Sequence, residues 1–170
     1  MRILILSLPR TGSTSFLYKC AEENILKPIF EPLDPLRPEK LDITQNNIAV
    51  KTMIYHIPPG FNDAITGYVA LAKEFDKVIL LSRKDLNECA ESWAYLRHHN
   101  NKNFDSTKHY VWTTPPDVDK HMQDVIKWDS DLKEISDILN VDIIYYEDIF
   151  DKNSHERYRK NVTLNKNKLI

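Results

Sequence analysis

Glycine is scarce in this chain: there are three in 170 residues, Gly12, Gly60 and Gly67. A glycine placed inside a tight turn therefore carries information that it would not carry in a glycine-rich chain. Cysteine is scarcer still. Cys20 and Cys89 each fall within a helical pattern and far from any metal-type spacing, which argues against a disulfide or a ligand pair and reads both as reduced core residues. No charge of one sign dominates, since 23 Lys and Arg stand against 25 Asp and Glu for a formal net charge of -2. That balance gives no general case for nucleic acid or an anionic membrane as partner, although a local basic cleft would be hidden in the average. Long hydrophobic runs are also absent. The opening apolar run is about five residues and ends in Pro9-Arg10, too short for a signal-peptide core or a membrane span, so the expected address is cytoplasmic. No repeat or linker divides the chain, and its length suits one domain over residues 1–170.

What is present is concentrated at the start. Residues 2–16 read RILILSLPRTGSTSF: a β-branched apolar run stops at Pro9 and opens onto Arg10-Thr11-Gly12-Ser13-Thr14-Ser15. The run predicts a buried strand, the hydroxyl cluster with Gly12 a tight turn, and residues 14–26 a helix. A strand that feeds a helix through such a turn aims backbone N–H groups and the positive helix end at one point, which suits a phosphate. Arg10 and the hydroxyls of Thr11, Ser13 and Thr14 add charge and donors there.

Strands then alternate with helices. Residues 28–30, 48–50, 77–81 and 141–146 read as further strands, and 62–75, 85–97 and a long stretch from 118 as helices. Residues 100–115 are polar and aromatic and read as a loop, in which Trp112 and Tyr110 are candidates for an acceptor pocket, and 152–170 read as a basic tail. The expected fold is a three-layer α/β domain with a parallel sheet of about five strands, helices on both faces, and a P-loop-like phosphate-binding turn after the first strand. Ligands of such sheets bind at the carboxyl ends of the strands. Arg10, Glu31, Lys51, Arg83, and Glu147 with Asp148 follow the five strands in turn, which together describe a charged cleft.

A magnesium-dependent nucleoside-triphosphate loop needs a Gly-Lys-Ser/Thr sequence and a strand-end carboxylate for the metal. The chain has no Gly-Lys pair, and the strand at 78–81 runs into Ser82-Arg83. A donor with two separate anionic ends and no metal fits better, one end at residues 10–14 and the other at Arg83.

These residues resemble the sulfotransferases that use 3'-phosphoadenosine 5'-phosphosulfate (PAPS). The family's phosphosulfate loop, Pro-Lys/Arg-x-Gly-Ser/Thr-Thr/Ser, is matched by Pro9-Arg10-Thr11-Gly12-Ser13-Thr14. The resemblance implies that Arg10, Ser13 and Thr14, within a loop from Arg10 through Thr11 and Gly12 to Ser15, hold the 5'-phosphate region of the donor. It implies that Arg83, with a serine about two helical turns on, holds the 3'-phosphate; Ser92 lies nine residues beyond, where the commoner spacing of eight falls on Glu91. Val50-Lys51-Thr52 with Ile57-Pro58 is similar to a Lys-Thr-His-x-Pro segment of cytosolic members, and Tyr145-Tyr146-Glu147-Asp148 to their Tyr-Glu-Asp strand end. The family's glycine-rich segment near the end of the chain is missing, with Arg159-Lys160-Asn161 at best a relic of it.

The chemistry agrees with the residues. A sulfuryl group carries less charge than a phosphoryl group, so fixed cations and backbone N–H groups can stabilise the departing phosphate, a role assigned to Arg10. Arginine does not titrate at working pH and cannot donate a proton. The attacking hydroxyl needs a base. Glu31 is the favoured candidate because it ends a strand expected next to the first, and carbohydrate-modifying members carry a glutamate there; His56, near the histidine of cytosolic members, is the alternative. Lys51 is either a second cation on the sulfuryl oxygens or a plain strand-end lysine. The leading expectation is a sulfotransferase acting on a small-molecule or carbohydrate acceptor. An inactive module that binds the 3',5'-bisphosphate and a small-molecule kinase are the alternatives.

Overall fold

Strand β1 (Arg2–Ser7) occupies the middle of a five-stranded parallel sheet ordered β2-β3-β1-β4-β5. The computed structural model describes residues 1–37, 40–98 and 117–149. In chain order the elements are β1, α1 (Ser13–Asn24), β2 (Lys27–Phe30), β3 (Ile48–Met53), α2 (Ala64–Ala72), β4 (Lys77–Ser82), α3 (Leu86–His98), α4 (Val118–Leu139), β5 (Ile143–Tyr145) and α5 (Tyr146–Ile149). The expectations for residues 99–116, which include Tyr110 and Trp112, and for the tail from 150 lie outside the described residues.

The apolar run of β1 is continuous because both faces of a central parallel strand are covered. Side chains alternate across the sheet: Ile3 and Ile5 pack against Phe16, Leu17, Cys20 and Ala21 of α1, while Leu6 packs against Ala64 and Tyr68 of α2 and Leu132 and Ile135 of α4. Helices therefore cover both faces, and the architecture has three layers. No helix among the described residues is long and apolar enough to cross a membrane.

Two placements correct the expectations from sequence. First, β2 is not the neighbour of β1, because β3 lies between them and β2 forms an edge. Pro28 explains this: it has no N–H to give to a ladder, so a strand containing it belongs at an edge. The hydrophobic Ile48-Ala49-Val50, buried on both faces, takes the inner position. Second, β3 does not stop at Val50 but runs on to Met53, so Lys51 and Thr52 lie within the ladder, opposite Ile5 and Leu6. Helix α1 starts at Ser13, one residue ahead of expectation, and α2 is shorter than the expected 62–75.

With glycine scarce, other residues take left-handed backbone conformations: Arg10, Ile25, Glu31, Asn47 and Asn140 all have positive φ. Ile25 closes α1 at φ 53° with its N–H aimed at Ala21 O and Glu22 O, and its side chain is 91% exposed. A β-branched residue there carries strain of about 1–2 kcal/mol with no packing to offset it. Ile25→Gly is therefore expected to stabilise the domain by about 1 kcal/mol, read as a rise of about 2–4 °C in the thermal midpoint. An unchanged midpoint would show that the strain is relieved elsewhere.

The connections position the site. Helix α1 carries the chain from β1 towards the β2 edge, whereas α3 and α4 carry it from β4 to the β5 edge. Adjacent strands whose connections leave in opposite directions open a crevice outside their carboxyl ends, here between β1 and β4.

Candidate functional site

The turn after β1 is built from its own backbone. The Leu8 N–H donates to Leu81 O of β4 at 3.1 Å, and the Thr11 hydroxyl donates back to Leu8 O at 3.0 Å. The Pro9 carbonyl accepts from the Cys89 thiol at 3.1 Å, and burial pushes that thiol up to about 12, which makes Cys89 an inert brace. Arg10 (φ 62°) and Gly12 (φ 66°) are both left-handed, so the chain reverses within four residues and enters α1 at Ser13. Gly12 caps α1 without any side-chain bond to its first-turn amides. Those amides lack partners within the helix, and the helix dipole is positive there. Ser13 is buried, and Thr14 and Ser15 are half-buried beside them.

Two arginines meet at this turn. Arg10 Nε donates to Ser92 Oγ of α3 at 2.9 Å, which ties to Arg10 the serine expected to share a phosphate with Arg83. Arg83 lies ahead of α3 and packs against that helix's first turn, while Ser92 lies further along and reaches the β1 turn. Arg83 is only 7% exposed, and its Nη1 donates to Arg10 O at 3.2 Å. Its Nη2 contacts Glu88 Oε2 at 2.6 Å, its Nε faces Glu147 Oε1 at 3.7 Å, and its guanidinium stacks on Tyr146 at 4.7 Å. Glu147 is fixed by the N–H groups of Lys84 (2.9 Å) and Asp85 (3.3 Å). Strand β5 ends at Tyr145, short of the expected 146, and helix α5, through Tyr146, Glu147 and Asp148, orients Arg83 and, by an Asp148–Lys84 contact of 2.6 Å, the chain beyond it.

A second charged group lies on the β3 side. Lys51 is fully buried and ion-paired with Glu31 Oε1, and its ammonium lies 4.5 Å from the centre of the Phe30 ring. Glu31 follows β2 at φ 49°, and its N–H donates to Lys51 O at 2.8 Å. Its other oxygen faces Arg37 Nη2 at 3.7 Å. Burial lowers Lys51 to about 8; the Glu31 carboxylate opposes that shift, and Arg37 and Arg10 add to it. Arg10 is therefore within electrostatic reach of Lys51. A strand lysine with no access to water is tolerated only because the left-handed Glu31 turns its carboxylate back onto it.

His56 lies close to the same group. Burial lowers its pKa below the ordinary histidine value, opposed by Glu31 and Asp34, which leaves a neutral imidazole at neutral pH. Its Nδ1 is buried with no hydrogen-bond partner among the described residues. The buried Tyr68 hydroxyl holds the loop by its carbonyls, 2.7 Å from Met53 O and 2.5 Å from His56 O. Tyr55 lies between His56 (ring centroids 4.4 Å apart) and the rings of Trp93 and Trp128 (5.4 and 4.9 Å).

Four contributors had no motif to announce them. Arg37, Glu88, Tyr55 and Asp129 become visible only through the fold; buried Asp129 accepts from Ser82 Oγ at 2.8 Å and pairs with Lys133 at 2.7 Å, pinning α4 to the end of β4. A carboxylate on the buried face of an otherwise apolar helix stripe is the one signal that the sequence offered for Asp129. Among the described residues no group of three His, Cys, Asp or Glu side chains could hold a metal ion. Compared with known proteins, the chain matches no family profile and no curated sequence.

Proposed function

We propose that the chain is a sulfotransferase that moves a sulfuryl group from PAPS to a hydroxyl or amine of a small-molecule or carbohydrate acceptor, with no metal ion. The observation that supports it most is the meeting of Arg10 and Arg83 at the turn after β1, where Arg83 Nη1 donates to Arg10 O. Arg10 stands beside the uncapped amides of α1, and a buried Lys51–Glu31 couple lies within the field of Arg10. In this reading residues 9–14 act as a P-loop-like turn. Arg10, Ser13, Thr14 and Ser15 hold the 5'-phosphate, and Arg83 the 3'-phosphate. Neither strand beside β1 ends on a carboxylate, since β3 ends on Lys51-Thr52-Met53 and β4 on Ser82 before Arg83, which favours a donor neutralised by fixed cations.

The reaction then needs few parts. The acceptor oxygen attacks sulfur in line, the bond from sulfur to the 5'-phosphate oxygen breaks, and the acceptor proton passes to a base. The products are the sulfate ester and 3'-phosphoadenosine 5'-phosphate. Arg10 stabilises the charge gathering on the leaving phosphate, and the buried Lys51, cationic below about pH 8, holds the Glu31 carboxylate in place. Glu31 serves as base, with the neutral His56 as the competing assignment. An inactive bisphosphate-binding module is the second reading, favoured by the engagement of both Glu31 oxygens with cations.

Calorimetry with 3'-phosphoadenosine 5'-phosphate should give binding without magnesium, and ATP with magnesium should give none. Transfer of labelled sulfate to a panel of hydroxyl acceptors separates the enzyme from the binding module. Arg83→Ala should weaken the 3',5'-bisphosphate by about tenfold to a hundredfold more than adenosine 5'-phosphosulfate, which lacks the 3'-phosphate. Equal losses for both ligands would make Arg83 scaffold alone, since it also braces Arg10 O.

A further inference from the structure

Arg83 is already partnered, and its two carboxylates differ in kind. Glu147 is 15% exposed and receives the backbone N–H groups of Lys84 and Asp85, so its position is tied to the chain. Glu88 is 53% exposed and touches Arg83 by its side chain, 2.6 Å from Nη2. The start of α3 does not depend on that carboxylate, because the Glu88 N–H is received by Asp85 Oδ1 at 2.9 Å. An acidic side chain on a flexible stem, half in water and resting on a buried guanidinium, is a stand-in anion that a stronger one can displace.

Resting on the sulfotransferase reading above, we propose that Glu88 sets the affinity for the donor's 3'-phosphate by occupying the edge of Arg83 that this phosphate must take. The phosphate binds only when the Glu88 carboxylate swings into water. The Arg83 side that rests on Arg10 O and faces Glu147 stays in place during the exchange. Glu88 thus lowers affinity for ligands that carry a 3'-phosphate and leaves ligands without one unaffected. It also keeps the guanidinium neutralised while no ligand is present. Glu88 is already half in water, so moving its carboxylate away costs it little, and the phosphate takes its place on the buried guanidinium; the effect on affinity is therefore modest and specific.

Calorimetric titration of the full chain, as wild type and as Glu88→Gln, with 3'-phosphoadenosine 5'-phosphate and with adenosine 5'-monophosphate provides the test. Glu88→Gln should tighten the bisphosphate by about three- to tenfold and change the monophosphate by less than about twofold. Equal tightening of both nucleotides, or tightening of neither where the wild type binds, overturns the proposal. A second measurement needs no nucleotide: inorganic phosphate should raise the thermal midpoint of Glu88→Gln more than that of wild type, and adding Arg83→Ala should remove the difference. If no nucleotide binds yet this phosphate effect is present, the sulfotransferase reading falls and Glu88 keeps its place as the anion that guards Arg83. Absence of both effects overturns both.

Discussion

Arg10→Ala is expected to reduce sulfuryl transfer by about 2–4 kcal/mol in the transition state, a loss of roughly thirty- to a thousandfold in kcat/KM, which is the range for removing one preorganised electrostatic donor. The loss should fall on turnover as well as on donor affinity, because charge gathers on the 5'-phosphate as the bond to sulfur breaks. Arg10 also ties α3 to the turn through Ser92, so its loss would in part act by loosening the scaffold. Ser92→Ala separates the two: it removes the tie and keeps the guanidinium, and it should cost far less. A variant lacking Arg10 that transfers sulfate like wild type would end the phosphate-turn assignment. If Ser92→Ala were as damaging as Arg10→Ala, the arginine's part would be to hold α3.

The elements legible in the sequence were those whose signal is local. The continuous apolar run of β1 predicts a buried strand, and the amphipathic stretch from Val118 predicts a long helix; α4 begins at Val118, with Asp117 accepting from the Lys120 N–H at its start. The turn with Gly12 was legible because few glycines compete for attention. The order of strands was not legible, since it depends on which strand tolerates an edge. Pro28 carries that information once it is read as a missing donor. The site shows the same division. Arg10 and the hydroxyl cluster lie within six consecutive residues, so their meeting is guaranteed by the chain. Lys51 meets Glu31 across two strands, and Arg83 meets Glu88 and Glu147 from two different elements. Such contacts follow from register and helix rotation, which residue spacing alone does not determine. Ser92 is the instructive case: its distance from Arg83 along the chain pointed to a shared phosphate, and its contact with Arg10 was not foreseen.

Glu31→Gln should reduce turnover by about a hundredfold or more while leaving donor affinity nearly intact, because a carboxylate's shape is kept and its proton affinity is lost. The case for Glu31 no longer rests on a strand beside β1. It rests on the left-handed turn at the end of the β2 edge, which brings the carboxylate back to Lys51 across the β2–β3 ladder. That coupling gives the substitution a second signature. Without Glu31 the buried Lys51 ammonium loses the group that opposes its desolvation, so its pKa, already lowered to about 8, should fall further. In wild type the unfolded chain holds the Lys51 proton up to about pH 10.5 and the folded chain only to about pH 8. This group's contribution to stability therefore increases between those values and is least below them. In Glu31→Gln the increase should begin at lower pH, measured as the difference between the two stability–pH curves from denaturant unfolding. Transfer by wild type should decline as pH rises through about 8, where Lys51 loses the charge that holds the Glu31 carboxylate. The double variant Glu31→Gln/Lys51→Met should recover the stability lost in the single one, since neutral residues of similar volume replace a buried pair at little cost, and it should remain inactive. A stable double variant that still transfers sulfate would reduce the pair to scaffold. Loss of turnover in His56→Ala with none in Glu31→Gln would move the base to the imidazole, whose buried Nδ1, without a hydrogen-bond partner among the described residues, and neutral state at pH 7 suit it to accept a proton.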